Sequence, residues 1–174
     1  MRKFKMIFLV LPAVFAVNIL FAQSRDEGKK FLYYERNNSA ISTLGKVVAT
    51  NPADIEAVYW LGQAHLAKED VEGAKKLYQQ SLAANSSAPL LLVGMGHIEL
   101  IEGKKNEARN RFETAISLSK GKEPAVYNAI ARANVEAKAG DPAYAVDKAK
   151  LAVEKDKKSA EYSITLGDAY RKMT

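Results

Sequence analysis

Two histidines, His65 and His97, are the side chains best suited to proton transfer near neutral pH, and the chain has no cysteine. An imidazole serves as a general base only when a second group orients it, and no carboxylate is placed to do so in the local sequence. Glu99 follows His97 by two residues, which on a helix turns it to a different face. The pair also lacks the His-x-x-x-His spacing that seats a divalent metal on one helix face. Without cysteine, disulfides, thiolate metal sites and a thiol nucleophile are excluded outright. Gly94-Met95-Gly96 has the small residues of a phosphate-cradling loop. It stands inside a helix-periodic apolar stretch, however, and not after a strand. Gly96 has a packing role in that helix, and the pattern assigns none to Gly94. These residues predict no catalytic, metal or cofactor site and no enzymatic activity.

The elements that carry them repeat. Ile55 to Ala88 reads as one helix-turn-helix unit, with Leu61-Gly62 in the first helix and Ala74, Tyr78 and Ser81 in the second. Thirty-four residues on, the same places hold Met95-Gly96, Ala108, Phe112 and Ala115. A fixed period with small residues at two helix-crossing points marks a helical repeat array. The pattern resembles the tetratricopeptide repeat, which carries Trp, Leu-Gly and Tyr in its first helix, then Ala, Phe/Tyr, Ala and Pro. The resemblance implies an all-α, right-handed helical-repeat solenoid of antiparallel helix pairs. Gly62, Gly96 and Gly167 are then expected where helices cross.

On this register the chain divides into a divergent first repeat at 23–54 and further repeats at 55–88, 89–123 and 124–159. The first helix of a truncated fifth repeat follows at 160–174. Glu27 stands in the first repeat where the family has Leu, which suits a terminal unit whose outer face meets water. Asp54 is placed to cap the helix that starts at Ile55, Pro89 sits at a first helical position, and Gly103 can end a helix left-handed. The fourth repeat is two residues longer than the family length, and the extra residues are expected between Asn134 and Gly140. Leu166, Gly167, Ala169 and Tyr170 ask for a second helix that the sequence does not contain. The chain therefore reads as the N-terminal part of something longer, or as a repeat array whose last helix packs on a partner.

Residues 1–22 read as a signal peptide. Arg2, Lys3 and Lys5 precede an apolar stretch from Met6 to Phe21, and Ala22 is a small residue suited to cleavage. That apolar run is shorter than the roughly 20 residues of a membrane-spanning helix and is broken by Pro12 and Asn18. Export to the periplasm or beyond is expected, without stable membrane insertion after cleavage. The whole chain carries a formal charge of +6. Its charges are interspersed, which predicts no nucleic-acid footprint.

In the family, the first helices of successive repeats line a concave face, and ligands contact the second, fifth, ninth, twelfth and thirteenth slots. By matching position, the ninth slots run Lys29, Gln63, His97, Arg132 and Asp168. The fifth run Tyr59, Val93, Asn128 and Ile164; the twelfth include Leu66, Leu100 and Val135. The resemblance implies a partner groove built from Tyr59, Gln63, Leu66, Val93, His97, Leu100, Asn128, Arg132, Ile164 and Asp168. Apolar area would supply affinity there and the polar row would set the register of a bound segment. Part of the same set is also available for packing between neighbouring helices. His65 and Trp60 are expected to pack. Where some family members clamp a terminal carboxylate with Lys and Asn, this chain has Tyr59 and Gln63, which argues against that use. The expected role is a non-enzymatic scaffold or adaptor holding a peptide or protein segment in the cell envelope. The alternative is an adaptor whose active domain lies beyond residue 174, and self-association through the C-terminal helix is a further expectation.

Overall fold

The structure is a computed structural model that describes residues 24–174; the signal-peptide reading of residues 1–22 lies outside the described residues. The described chain is all α, with no strand, and divides into two compact units at Glu69 and Asp70. The first holds α1 (24–33), α2 (Asn37–Thr50) and α3 (Ile55–Leu66). The second holds α4 (Val71–Ala84), α5 (Pro89–Ile101), α6 (Lys105–Leu118), α7 (Pro124–Glu136), α8 (Pro142–Lys155) and α9 (Ala160–Met173).

Local chemistry sets where these helices begin and end. Asp54, Asp70 and Asp141 each cap a helix, accepting from the backbone N–H of Ala57, Gly73 and Tyr144 at 3.0, 2.9 and 3.1 Å. Each cap satisfies one of the four donors that a helix start leaves without a partner. Pro89, Pro124 and Pro142 open α5, α7 and α8, where a missing N–H costs little. Gly103, at φ +80°, turns the chain after α5. Gly140 is required for a different reason. A Cβ there would run into the backbone carbonyl of Asn134. The Asn134 side chain organises the same turn, donating to Ile130 O at 2.9 Å and accepting from the Asp141 N–H at 3.0 Å.

In the first unit, a Cβ on Gly28 would meet Leu44, so α1 and α2 approach closely at that point. Arg25 pairs with Asp54 at 2.9 Å, and Lys29 lies 4.8 Å from the centre of the Trp60 ring. Trp60 is buried, packed edge-to-face with Tyr59. Packing thus accounts for the one tryptophan, through the helix of the preceding repeat.

In the second unit, α5 packs on α4, α6 and α7, while α7 packs on α8 and α9. Two glycines of α5 make room for two rings. Gly96 faces Phe112 of α6, and Gly94 faces Tyr78 of α4, where a Cβ would come within 2.6 Å of the ring. Gly94 therefore serves the approach of the preceding helix, a role the sequence pattern left unassigned. Ala145, Val146 and Ala169 close the α8–α9 contact with Val135 and Leu166 beside them. Gly167 differs from Gly96: nothing lies within 4 Å of a Cβ built there. The crossing expected at Gly167 is not made among the described residues.

Ion pairs tie successive helix pairs of this unit at their turns. Lys75 of α4 reaches Glu102 at 2.6 Å, and Arg109 of α6 reaches Asp141 at 2.9 Å. The Arg109 guanidinium also lies 3.3 Å from the centre of the Tyr144 ring, whose hydroxyl donates to Glu113 at 2.7 Å. Burial and the Glu113 carboxylate both push the Tyr144 hydroxyl well above its usual range.

Candidate partner-binding surface

Helices α5, α7 and α9 are the first helices of successive pairs and lie side by side, α7 between the other two. Their common flank is polar where α5 meets α7. Arg132 donates to Glu136, one turn further along α7, at 3.2 and 2.9 Å. The same carboxylate stands 3.8 Å from His97 Nε2 on α5. Glu136 is thus the carboxylate beside His97, thirty-nine residues away in sequence. It occupies the thirteenth slot of its repeat, next to Val135, so the repeat register was the signal that could have found it.

The electrostatics of this group follow from burial. His97 is 4% exposed, and burial holds its imidazole below the usual range; Glu136 pulls it up and Arg132 pushes it down. The Glu136 side chain is 43% exposed, and the desolvation it does suffer works against its charge, but Arg132 and then His97 outweigh it and hold the carboxyl below the ordinary carboxylate range. A neutral imidazole facing a carboxylate carries its proton on Nε2, which leaves Nδ1 an acceptor. That Nδ1 is buried without a hydrogen-bond partner among the described residues.

A pH dependence follows. Unfolded, His97 takes up a proton near its ordinary value of 6.5; folded, it resists protonation. The unfolded state then binds more protons below that value. Stability is therefore full above it and declines as pH drops, by up to about 1.4 kcal/mol per unit. The loss ends once pH drops below the folded value. Urea melts between pH 7.5 and 5.5 (roughly one unit either side of the histidine reference) should show this loss in the wild type and not in His97→Gln. Equal slopes in both would remove His97 as the group responsible.

Between α7 and α9 the polar row continues. Asn128 donates from Nδ2 to Glu161 at 2.9 Å, while its Oδ1 is buried and unpartnered among the described residues. Asp168 accepts from Arg171, three residues on along α9. Ile164 is 47% exposed. Glu99 points elsewhere, as its spacing from His97 requires: Arg111 grips it from Nε at 2.9 and 3.0 Å.

The expected groove residues therefore fall into two kinds. Tyr59 and Gln63 on α3 are buried and Leu66 is half-buried, all within the first unit. In the second unit Val93, His97, Leu100 and Asn128 are buried. An open apolar floor was expected; the structure instead uses Val93 and Leu100 as packing, because side-by-side first helices consume the same slots that would face a ligand. Arg132, Ile164 and Asp168 keep exposed or half-exposed surface. His65 is half-buried on α3 and His97 lies on α5, in the other unit. Among the described residues no group of three metal-ligating side chains is gathered.

Comparison with known proteins agrees with this architecture. Residues 31–92 match the family model of the tetratricopeptide repeat. No curated protein matches the chain. Among solved structures it is similar to PilF of Pseudomonas aeruginosa, at 18% identity and TM-score 0.52 over 88% of this chain and 70% of that one. A thermophilic tetratricopeptide-repeat protein of Thermus thermophilus matches at 15% identity and TM-score 0.48, covering 87% and 99%. MamA matches at 22% identity and TM-score 0.48, covering 88% and 78%.

Proposed function

The chain is a tetratricopeptide-repeat protein, and from that premise we propose that it is a non-enzymatic scaffold holding an extended protein segment against α7 and α9. The fold is one of protein–protein interaction; the segment and its seat are our reading. The observation that carries it is the pair of acceptors, His97 Nδ1 and Asn128 Oδ1, buried on neighbouring helices without hydrogen-bond partners among the described residues. A buried polar atom left unmatched costs about 1–3 kcal/mol. Both are acceptors, so the matching group is an N–H, which an extended main chain offers at every second residue along one edge. Ile164 supplies an apolar anchor beside them, and Arg132 and Asp168 supply charges that fix register. The segment would reach the two acceptors by displacing the Arg132 and Glu161 side chains that flank them.

Panning a random peptide library on the immobilised chain tests this reading. Binders should lose affinity on Ile164→Arg and compete with one another for one seat. Binders indifferent to that substitution would place the interaction elsewhere on the fold. The seat of action we propose is the cell envelope, on the strength of the basic and apolar residues preceding Ala22. Fractionation of cells expressing the tagged chain would show the shortened product in the periplasm. Retention of the unshortened chain in the cytoplasm would reverse that proposal.

One feature of α9 favours a second, compatible reading. Gly167 has open space over it and Tyr170 is 46% exposed, so this face can take another helix. We propose that a second copy covers it when no partner does, or the helices of a domain beyond residue 174 in a longer protein. Light scattering at rising concentration should show dimers that Tyr170→Glu abolishes. A monomer at all concentrations, in both forms, would leave self-association without support.

A further inference from the structure

The second unit carries lysines at both ends. Where each first helix turns into its second, Lys75 and Lys104 pair with Glu102 and Arg109 pairs with Asp141, while Lys105 and Lys138 are exposed. At the opposite end, in the turns 119–123 and 156–159 and at the last residue of α8, Lys120, Lys122, Lys155, Lys157 and Lys158 are all exposed. None of the five is in an ion pair among the described residues. The two turns adjoin through Tyr127. A Cβ on Gly121 would come within 3.0 Å of its hydroxyl, and Lys155 Nζ lies 5.7 Å from the centre of its ring.

Four carboxylates share this end: Glu123, Glu154, Asp156 and, in the first turn of α9, Glu161, which accepts from Asn128. Asp156, itself exposed, accepts from the Lys158 backbone N–H at 3.1 Å and so closes its own turn. Lys120 adopts a left-handed backbone, at φ +52°, in a place that glycine or asparagine would fill with less strain. Beside it Leu118, the last residue of α6, is 43% exposed. Exposed lysines at the same end as an exposed leucine combine electrostatic attraction with a short apolar foot.

We infer that this end of the second unit is a docking surface for an anionic lipid bilayer. Lysine suits such a surface, because a compact ammonium on a flexible stem meets a laterally mobile layer of phosphates without needing the fixed fork of arginine. Leu118 can settle into the headgroup boundary while the lysines sit among the phosphates. An acidic protein segment would be met by the same charges but has no use for the leucine at the rim. The surface lies at the turns that precede α7 and α9, at the end of those helices away from Arg132 and Asp168.

The test uses the full chain and sucrose-loaded vesicles of phosphatidylcholine, or of an equimolar mixture with phosphatidylglycerol. The apolar N-terminal stretch contributes to both partitions, so the readout is the change produced by Lys120→Gln, Lys122→Gln, Lys157→Gln and Lys158→Gln together. Each lysine near an anionic surface contributes about fivefold to partition. The quadruple variant should therefore bind the anionic vesicles more than about a hundredfold more weakly, with binding to neutral vesicles unchanged and helical content retained. A partition to anionic vesicles within about twofold of wild type overturns the inference. So does a variant that loses binding to poly-glutamate while keeping its binding to vesicles, which would assign the surface to an acidic protein.

Discussion

Replacing Phe112 with alanine should remove about 3–5 kcal/mol from the stability of the second unit, the largest single effect expected in the chain. The ring is buried, lies against Gly96 of α5, and stacks on Tyr144 of α8 at 6.5 Å between centres and 24° between planes. One side chain thus joins α5, α6 and α8. Its loss leaves a cavity that backbone relaxation cannot close, because Gly96 brings no atoms to fill it. Gly96→Ala should act on the same contact from the other side. Its methyl would overlap the ring, at a cost of about 1–3 kcal/mol, partly offset by the higher helix propensity of alanine. The combination with Phe112→Leu should cost less than the sum, since the smaller side chain vacates that space. Urea denaturation followed by far-UV circular dichroism measures all three. A Phe112→Ala variant within about 1 kcal/mol of wild type, well short of an ordinary core truncation, would mean the ring does not bridge these helices.

The second large effect is on binding. Arg132→Glu with Ile164→Arg should weaken a peptide selected on the wild-type chain by at least about a hundredfold. Burying an isoleucine side chain is worth about 1.5–3 kcal/mol, and a hydrogen bond from a charged donor adds about 1.5–3 kcal/mol. Losing most of either exceeds tenfold and losing both exceeds a hundredfold. Stability should barely move. Ile164 is about half exposed, and a glutamate at 132 opposes Glu136 across one helical turn for only a few tenths of a kcal/mol. Titration calorimetry reports the affinity and thermal melting reports the fold. Loss of both together would indicate that the substitutions unfold α7 and α9 and say nothing of a binding seat.

Much of the architecture was legible because it is local or strictly periodic. Asp54, Pro89 and Gly103 act within a few residues of themselves, and each does what its chemistry dictates. Gly96 and Phe112 were legible through the repeat, which places a small residue opposite a ring at a fixed spacing. What was not legible is long-range. Gly94 makes room for Tyr78 of the helix before it, a relation between repeats that a within-repeat pattern does not encode. Glu136 stands beside His97 because α5 and α7 lie together, so a search limited to neighbours in sequence could not pair them. Val93 and Leu100 were assigned to an open floor, yet the same slots serve packing when first helices lie flank to flank. Gly167 has the sequence of a crossing, and among the described residues no helix lies over it.

The central claim is that a bound segment lies along α7 and α9, matched to the polar row that includes Asn128 and Arg132. Photocrosslinking tests it most directly, with benzoylphenylalanine placed at position 164 or, on the exposed face of α8, at position 150. A peptide selected on the wild-type chain should crosslink from position 164 and not from 150, and excess unlabelled peptide should suppress the product. Crosslinks from 150 with none from 164 would contradict the account.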